Sequence, residues 1–159
     1  MAHEFDAEVD AVAAAMLDLD FQKTLDGVGH LAERRVLEQT DKGGKTLRRS
    51  RCVLDIKIDG TAKKFIGDGD PAWVEVAEWD PIKLAWTWHI EPEVAGDLLE
   101  AAGRTELIAT DRGTTIRTVE GKVKVKVPFY GGKVEGWIVD GLESSYDEEA
   151  ELLADWLAS

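Results

Sequence analysis

The last stretch of the chain, residues 131–157, sets the terms for everything before it. It reads G-G-K-V-E-G-W-I-V-D-G-L-E-S-S-Y-D-E-E-A-E-L-L-A-D-W-L. Val134, Ile138, Leu142, Leu153 and Leu157 recur near helical spacing, with Trp137 and Trp156 beside them, which predicts one long amphipathic helix. At 1.5 Å per residue that helix is about 40 Å long. An apolar stripe of such length needs a broad surface to cover it. The upstream sequence offers one candidate, a large antiparallel sheet.

The chain before it starts helical and then changes period. Asp6 is placed to cap a helix whose face carries Val9, Val12, Ala13, Met16 and Leu17. Phe21 and Leu25 mark a second short helix, stopped by Gly27 and Gly29. Residues 31–40 have helix-prone composition but precede D-K-G-G-K, a reversal, and then T-L-R-R-S-R-C-V-L-D-I-K-I, so a strand is expected there. Leu54, Ile56 and Ile58 share one parity, Thr61 to Ile66 fits a turn of helix, and Gly67, Gly69 and Pro71 bound a link. Trp73 to Trp79 alternates and turns at Asp80-Pro81. Ile82 to Glu91 returns with Leu84, Trp86, Trp88 and Ile90 on one face and His89 on the other. Residues 92–101 suit either a helical turn or the approach to a strand. Strands follow from Gly103 and over 114–127, reversing at Asp111-Arg112-Gly113. In the second of these the valines share one face and Lys122, Lys124 and Lys126 the other, Gly121 permits a bend or bulge, and Pro128 ends the ladder.

These elements predict a single α+β domain over residues 1–159: a curved antiparallel sheet of six to seven strands around one C-terminal helix, with two short helices near the N-terminus. A bent sheet wrapped on a helix leaves space between them, the natural seat of a ligand. Composition narrows the partners. The 159 residues carry 19 basic and 32 acidic side chains, a net charge of -13, which repels a phosphate backbone, so no nucleic acid is expected. One cysteine, Cys52, excludes an internal disulfide. With no apolar run near 20 residues and no basic-then-apolar start, the expectation is a cytoplasmic protein without a membrane span. The sequence leaves monomer or homodimer open.

Three segments carry a family resemblance: D-A-E-V-D-A-V at 6–12, L-D-L-D-F at 17–21 and V-P-F-Y-G-G-K-V-E-G-W-I at 127–138. With the element order, they resemble the helix-grip fold of the START-like superfamily, which includes lipid-transfer domains and polyketide cyclases. More closely, the chain resembles a bacterial family of unknown function within it. The resemblance covers essentially the whole chain and implies a cavity for a hydrophobic or amphipathic small molecule, used for carriage or sensing in some members and for cyclisation or dehydration in others. The chain departs from the pattern in its first strand, which is confined to the five residues before Asp6.

The candidate ligand-binding residues follow from that cavity. Trp86, Trp88, Tyr130 and Trp137 are either bulky core or aromatic cavity wall. Arg104 and Arg117 supply charge for a head group if they point inward, and otherwise pair with the surplus carboxylates. His89 reaches a ligand only if its face is the concave one. A cyclase or dehydratase would draw its acid–base group from His89 or Glu106, and a third reading is a protein-interaction module with a filled core. Gly44-Lys45-Thr46 lacks the upstream glycine of a phosphate loop, and His3, His30 and His89 have no ligand spacing, so neither a metal nor a cofactor is expected. Asp147, Glu148, Glu149, Glu151 and Asp155 read as a solvated acidic face of the last helix.

Overall fold

The computed structural model describes residues 1–55, 60, 72–93 and 96–159. The expectations for Ile56, Ile58, Thr61 to Ile66, Gly67, Gly69 and Pro71 lie outside the described residues. The elements are β1 (Ala2–Phe5), α1 (Val9–Leu17), α2 (Leu19–Thr24), β2 (Leu31–Lys42), β3 (Lys45–Leu54), β4 (Ala72–Asp80), β5 (Ala85–Pro92), a short 3-10 turn (Gly96–Leu98), β6 (Leu99–Ala109), β7 (Thr115–Val125) and α3 (Gly131–Ala158). Among the described residues, seven strands form one antiparallel sheet in the order β1-β7-β6-β5-β4-β3-β2. The sheet is curved around α3, with α1 and α2 beside it.

Local chemistry explains the reversals. Lys42 pairs with Lys45 across Gly43 (φ +60°) and Gly44 (φ +80°), the two left-handed residues that a tight hairpin matching the strand twist requires. Asp80 closes the next turn, its Oδ1 accepting from the N–H groups of Ile82 and Lys83 at 2.9 and 3.2 Å. Leu84 therefore belongs to the turn, at φ +52°, and β5 starts at Ala85, three residues later than the expected start at Ile82. The expected cap of α1 at Asp6 is not used: Glu8 occupies the N-cap position without a side-chain bond. Asp18 does cap α2, accepting from Asp20 and Phe21 N–H.

Strand parity decides which side chains meet α3. Cross-strand partners place Leu54, Cys52, Trp73, Ala77, Trp79, Trp86, Leu107 and Val119 on the concave face, and all are buried. Gly103 and Gly121 face each other across β6 and β7 in continuous register, so Gly121 marks no bulge. It makes room instead. A Cβ at Gly103 would lie 2.3 Å from the Trp88 indole, and one at Gly121 would lie 2.8 Å from it. The Trp88 indole thus occupies the space over two side-chain-free positions of the neighbouring strands.

The 28-residue α3 grips the sheet by its two ends. Its C-terminal half contributes Ala150 and Leu153 to a cluster with Phe5, Val12, Phe21 and Trp79. Its N-terminal half contributes Val134 and Ile138 to a second cluster with Leu54, Trp73, Leu99 and Val125. Glu135 accepts the Val125 N–H at 2.7 Å and ties the helix to the end of β7. Between the clusters α3 presents Leu142, Ser145, Tyr146 and Glu149, and there the packing gives way to a cavity.

Candidate functional site

Five charged side chains line this central cavity, four of them on strands where alternation reserves the inner face for apolar groups: Arg34 of β2, Arg48 of β3, Glu75 of β4 and Arg117 of β7, with Glu149 of α3. Each is there because its parity matches that of buried neighbours. Arg48 and Ser50 share a face with Cys52 and Leu54, and Glu75 sits between Trp73 and Ala77.

The five are unequally satisfied. Arg117 is fully buried, and its Nη1 donates to Glu149 Oε1 at 2.7 Å. Its Nη2 donates to the Tyr146 carbonyl at 3.1 Å and meets His3 Nδ1 at 3.2 Å, while His3 Nε2 lies 2.8 Å from Asp147 Oδ1. This chain of bonds joins β1, β7 and α3. The expected solvated acidic face of α3 holds for Asp147, Glu148, Glu151 and Asp155, which are exposed, and fails at Glu149, which turns inward; Asp147 also holds His3, and Glu148 accepts the Gly29 N–H at 2.9 Å. Arg34 donates to Gln22 Oε1 at 3.2 Å and to Cys52 Sγ at 3.7 Å, and stands 3.9 Å from Glu75 Oε1. Arg48 donates to the Met16 carbonyl at 2.8 Å and to Gln39 Oε1 at 3.4 Å, its guanidinium 4.3 Å from the centre of the Trp86 ring. Burial and the neighbouring Arg34 charge push the Arg48 pKa down to about 10. Burial also works against the Arg34 charge, but Glu75, with the other acidic groups around it, outweighs that and raises its pKa. Burial, reinforced by Glu75 and Glu149, pushes the Tyr146 phenol well up, which keeps it a neutral donor.

Several donors remain unused. The Nε–H groups of Arg34, Arg48 and Arg117, the Ser50 hydroxyl and the Trp88 indole N–H are buried without a partner among the described residues. An unmade hydrogen bond at a buried polar group costs roughly 1–3 kcal/mol, so several around one space mark a place for a polar guest.

The space itself has three parts. The central cavity measures about 70 Å³. A pocket of about 20 Å³ adjoins it beside Ile90, Leu99 and Ala101. A mainly apolar cleft of about 290 Å³ lies between β7 and α3, walled by Val119, Val123 and Val139, with Glu120 and Glu143 also lining it. Trp88, Leu142 and Tyr146 line all three.

Of the residues singled out from sequence, Trp86, Trp88 and Arg117 come together at the cavity. Tyr130 and Trp137 pack on the apolar cluster under the first turns of α3, where Lys133 stands 5.2 Å from the Trp137 ring centre. His89 is exposed on the convex face, beside Val76 and Ala102. Arg104 is also convex, ion-paired with Glu106. The sequence reading missed Arg34, Arg48, Glu75, Tyr146 and Glu149. The first three were within reach of it, as charged residues in step with Cys52 or Trp73.

Among the described residues no helix is long and apolar enough to cross a membrane. A family model described as "Protein of unknown function (DUF2505)" matches residues 1–157. No curated protein matches the chain. Several solved structures are similar in fold. TTHA0849 from Thermus thermophilus is 20% identical with a TM-score of 0.66, covering 96% of this chain and 94% of that one. The Zhui aromatase/cyclase from a Streptomyces species is 10% identical with a TM-score of 0.69, covering 99% and 91%. A START superfamily protein from Mycobacterium smegmatis is 15% identical with a TM-score of 0.61, covering 99% and 94%. The fold is thus the START-like helix grip, and the chain belongs to the family described as protein of unknown function (DUF2505).

Proposed function

We propose that this protein binds a small amphipathic molecule between its sheet and α3. The polar end enters the central cavity, and the apolar body occupies the cleft between β7 and α3. One observation carries the reading: Trp88, Leu142 and Tyr146 wall the polar cavity on one side and the apolar cleft on the other. A molecule with one polar and one apolar end matches that succession, and Trp88, seated over two glycines, supplies an aromatic wall. The cleft also favours ligand binding over an interaction module with a filled core.

Acid–base chemistry in the same cavity is the second reading, favoured by Glu75 and Tyr146. Neither the Glu75 carboxylate nor the Tyr146 hydroxyl makes a hydrogen bond among the described residues, and Glu75 has Arg34 at 3.9 Å as its ion-pair partner. His89 and Glu106, on the other face of the sheet, have no part in it.

Native mass spectrometry of freshly purified protein, followed by solvent extraction, tests the proposal. The expected result is a discrete adduct on the order of a few hundred daltons, the size of ligand such a site holds, that is lost on denaturation. Bare protein that also gains no thermal stability from a panel of amphipathic compounds would contradict it.

A further inference from the structure

The charges around the cavity do not balance. Three arginines line it and two carboxylates answer them. Glu149 is committed to Arg117 at 2.7 Å and Glu75 stands beside Arg34 at 3.9 Å. Arg48, only 5% exposed, has no carboxylate partner among the described residues. It meets the Met16 carbonyl, at the partially negative end of α1, and the face of Trp86. A buried cation without a counter-ion is costly, and here it persists inside a chain whose net charge is -13. Arg34 and Arg48, whose Nε–H groups are unused, both line the same space.

Resting on the pocket reading above, we infer that the ligand carries a single carboxylate, which takes one donor from each of Arg34 and Arg48 and serves as the missing counter-ion. Charge-assisted bonds from guanidinium to carboxylate are among the strongest a protein makes. One negative charge neutralises the excess. A phosphate dianion overshoots it and faces Glu75 and Glu149 across about 70 Å³. The apolar body extends past Trp88 and Leu142 into the β7–α3 cleft.

The test uses pairs that share a carbon skeleton and differ only in the head group, a carboxylate against a hydroxymethyl: octanoate against 1-octanol, and 2-naphthoate against 2-naphthylmethanol, each titrated calorimetrically at pH 7. In at least one pair the acid should bind about tenfold more tightly than the alcohol, the scale of one charge-assisted bond. Arg48→Met should reduce that preference below about threefold. Because Arg48 also holds the end of α1, a folding defect in that variant is bypassed by Glu75→Gln. Removing this negative charge should raise the preference for the acid over its alcohol roughly threefold or more. Alcohols binding as well as their acids would overturn the carboxylate inference and leave the pocket standing. Binding of none of the four would overturn the pocket reading and the inference with it.

Discussion

Replacing Gly121 with alanine puts a methyl group where the Trp88 indole now lies. The new Cβ stands 2.8 Å from two ring carbons of Trp88 and 3.0 Å from the Ala102 carbonyl oxygen. Carbon atoms pack best at about 3.5–4.0 Å, so the ring must retreat by roughly 0.7 Å or more. It has no room to slide along the sheet, since Gly103 already lies within contact of the same indole. The remaining direction is outward, toward Leu142 and Tyr146 and into the ligand space. Overpacking of this kind costs about 1–3 kcal/mol, offset by a few tenths because alanine stiffens the unfolded chain. For a chain of this length the melting temperature should fall by roughly 2–8 °C. The assay is urea denaturation of Gly121→Ala, Trp88→Leu and the double variant. Because the clash is chiefly with one side chain, Gly121→Ala should cost at least about 1 kcal/mol less in the Trp88→Leu background. A Gly121→Ala protein within about 0.5 kcal/mol of the parent, or strict additivity in the cycle, would refute the packing account.

Other substitutions probe the rest of the framework. Arg117→Met strands Glu149 and the Tyr146 carbonyl, and should cost about 3–5 kcal/mol, whereas Glu149→Gln keeps an acceptor and should cost less; equal stabilities by denaturant melts would mean that the buried bonds carry nothing. Ile138, 4% exposed on the buried face of α3, should cost about 2–4 kcal/mol on truncation to alanine, and a loss under about 0.5 kcal/mol would contradict its place in the core. Burial pushes the Cys52 thiol up to about 12, so Ellman's reagent should find it inert in the folded protein at pH 8 and fully reactive in urea. The same shift gives a pH dependence. The unfolded thiol ionises near 8.5 while the folded one keeps its proton, so the unfolded state binds fewer protons and stability falls as pH rises. By pH 10 the loss is roughly 2 kcal/mol, and Cys52→Ala should lack that component of the decline.

The fold was legible because its elements are strongly periodic. The apolar stripe of α3 demanded a broad partner, and Trp86 and Trp88 marked the inner face of β5 through a strict alternation. Even the helix-prone residues 31–40 were read correctly as strand, because Gly43-Gly44 forced a hairpin that only a strand could complete. The errors were local. Leu84 continues the alternation of β5 yet is captured by the Asp80 turn, and Gly121 suggested a bulge because sequence does not show which ring lies across it. The site was half legible. Arg117 and the two cavity tryptophans fell on the right parity, while His89 and Arg104 fell on the opposite one. Glu149 was hidden inside an acidic run whose members point in different directions around a helix turn. Its partner lies 32 residues away on β7, a distance that no local pattern spans.

Trp88 is where the cavity and the cleft meet, and its indole N–H has no described partner, so it is the most direct reporter of a bound molecule. The decisive measurement is nitrogen-15 NMR of the six tryptophan indoles during titration with the tightest of the four probe compounds. The indole of Trp88 should shift most, while those of Trp79 and Trp156, in the apolar cluster at the C-terminal half of α3, stay in place. A compound that binds and leaves the Trp88 resonance unmoved would place the ligand elsewhere and contradict the account.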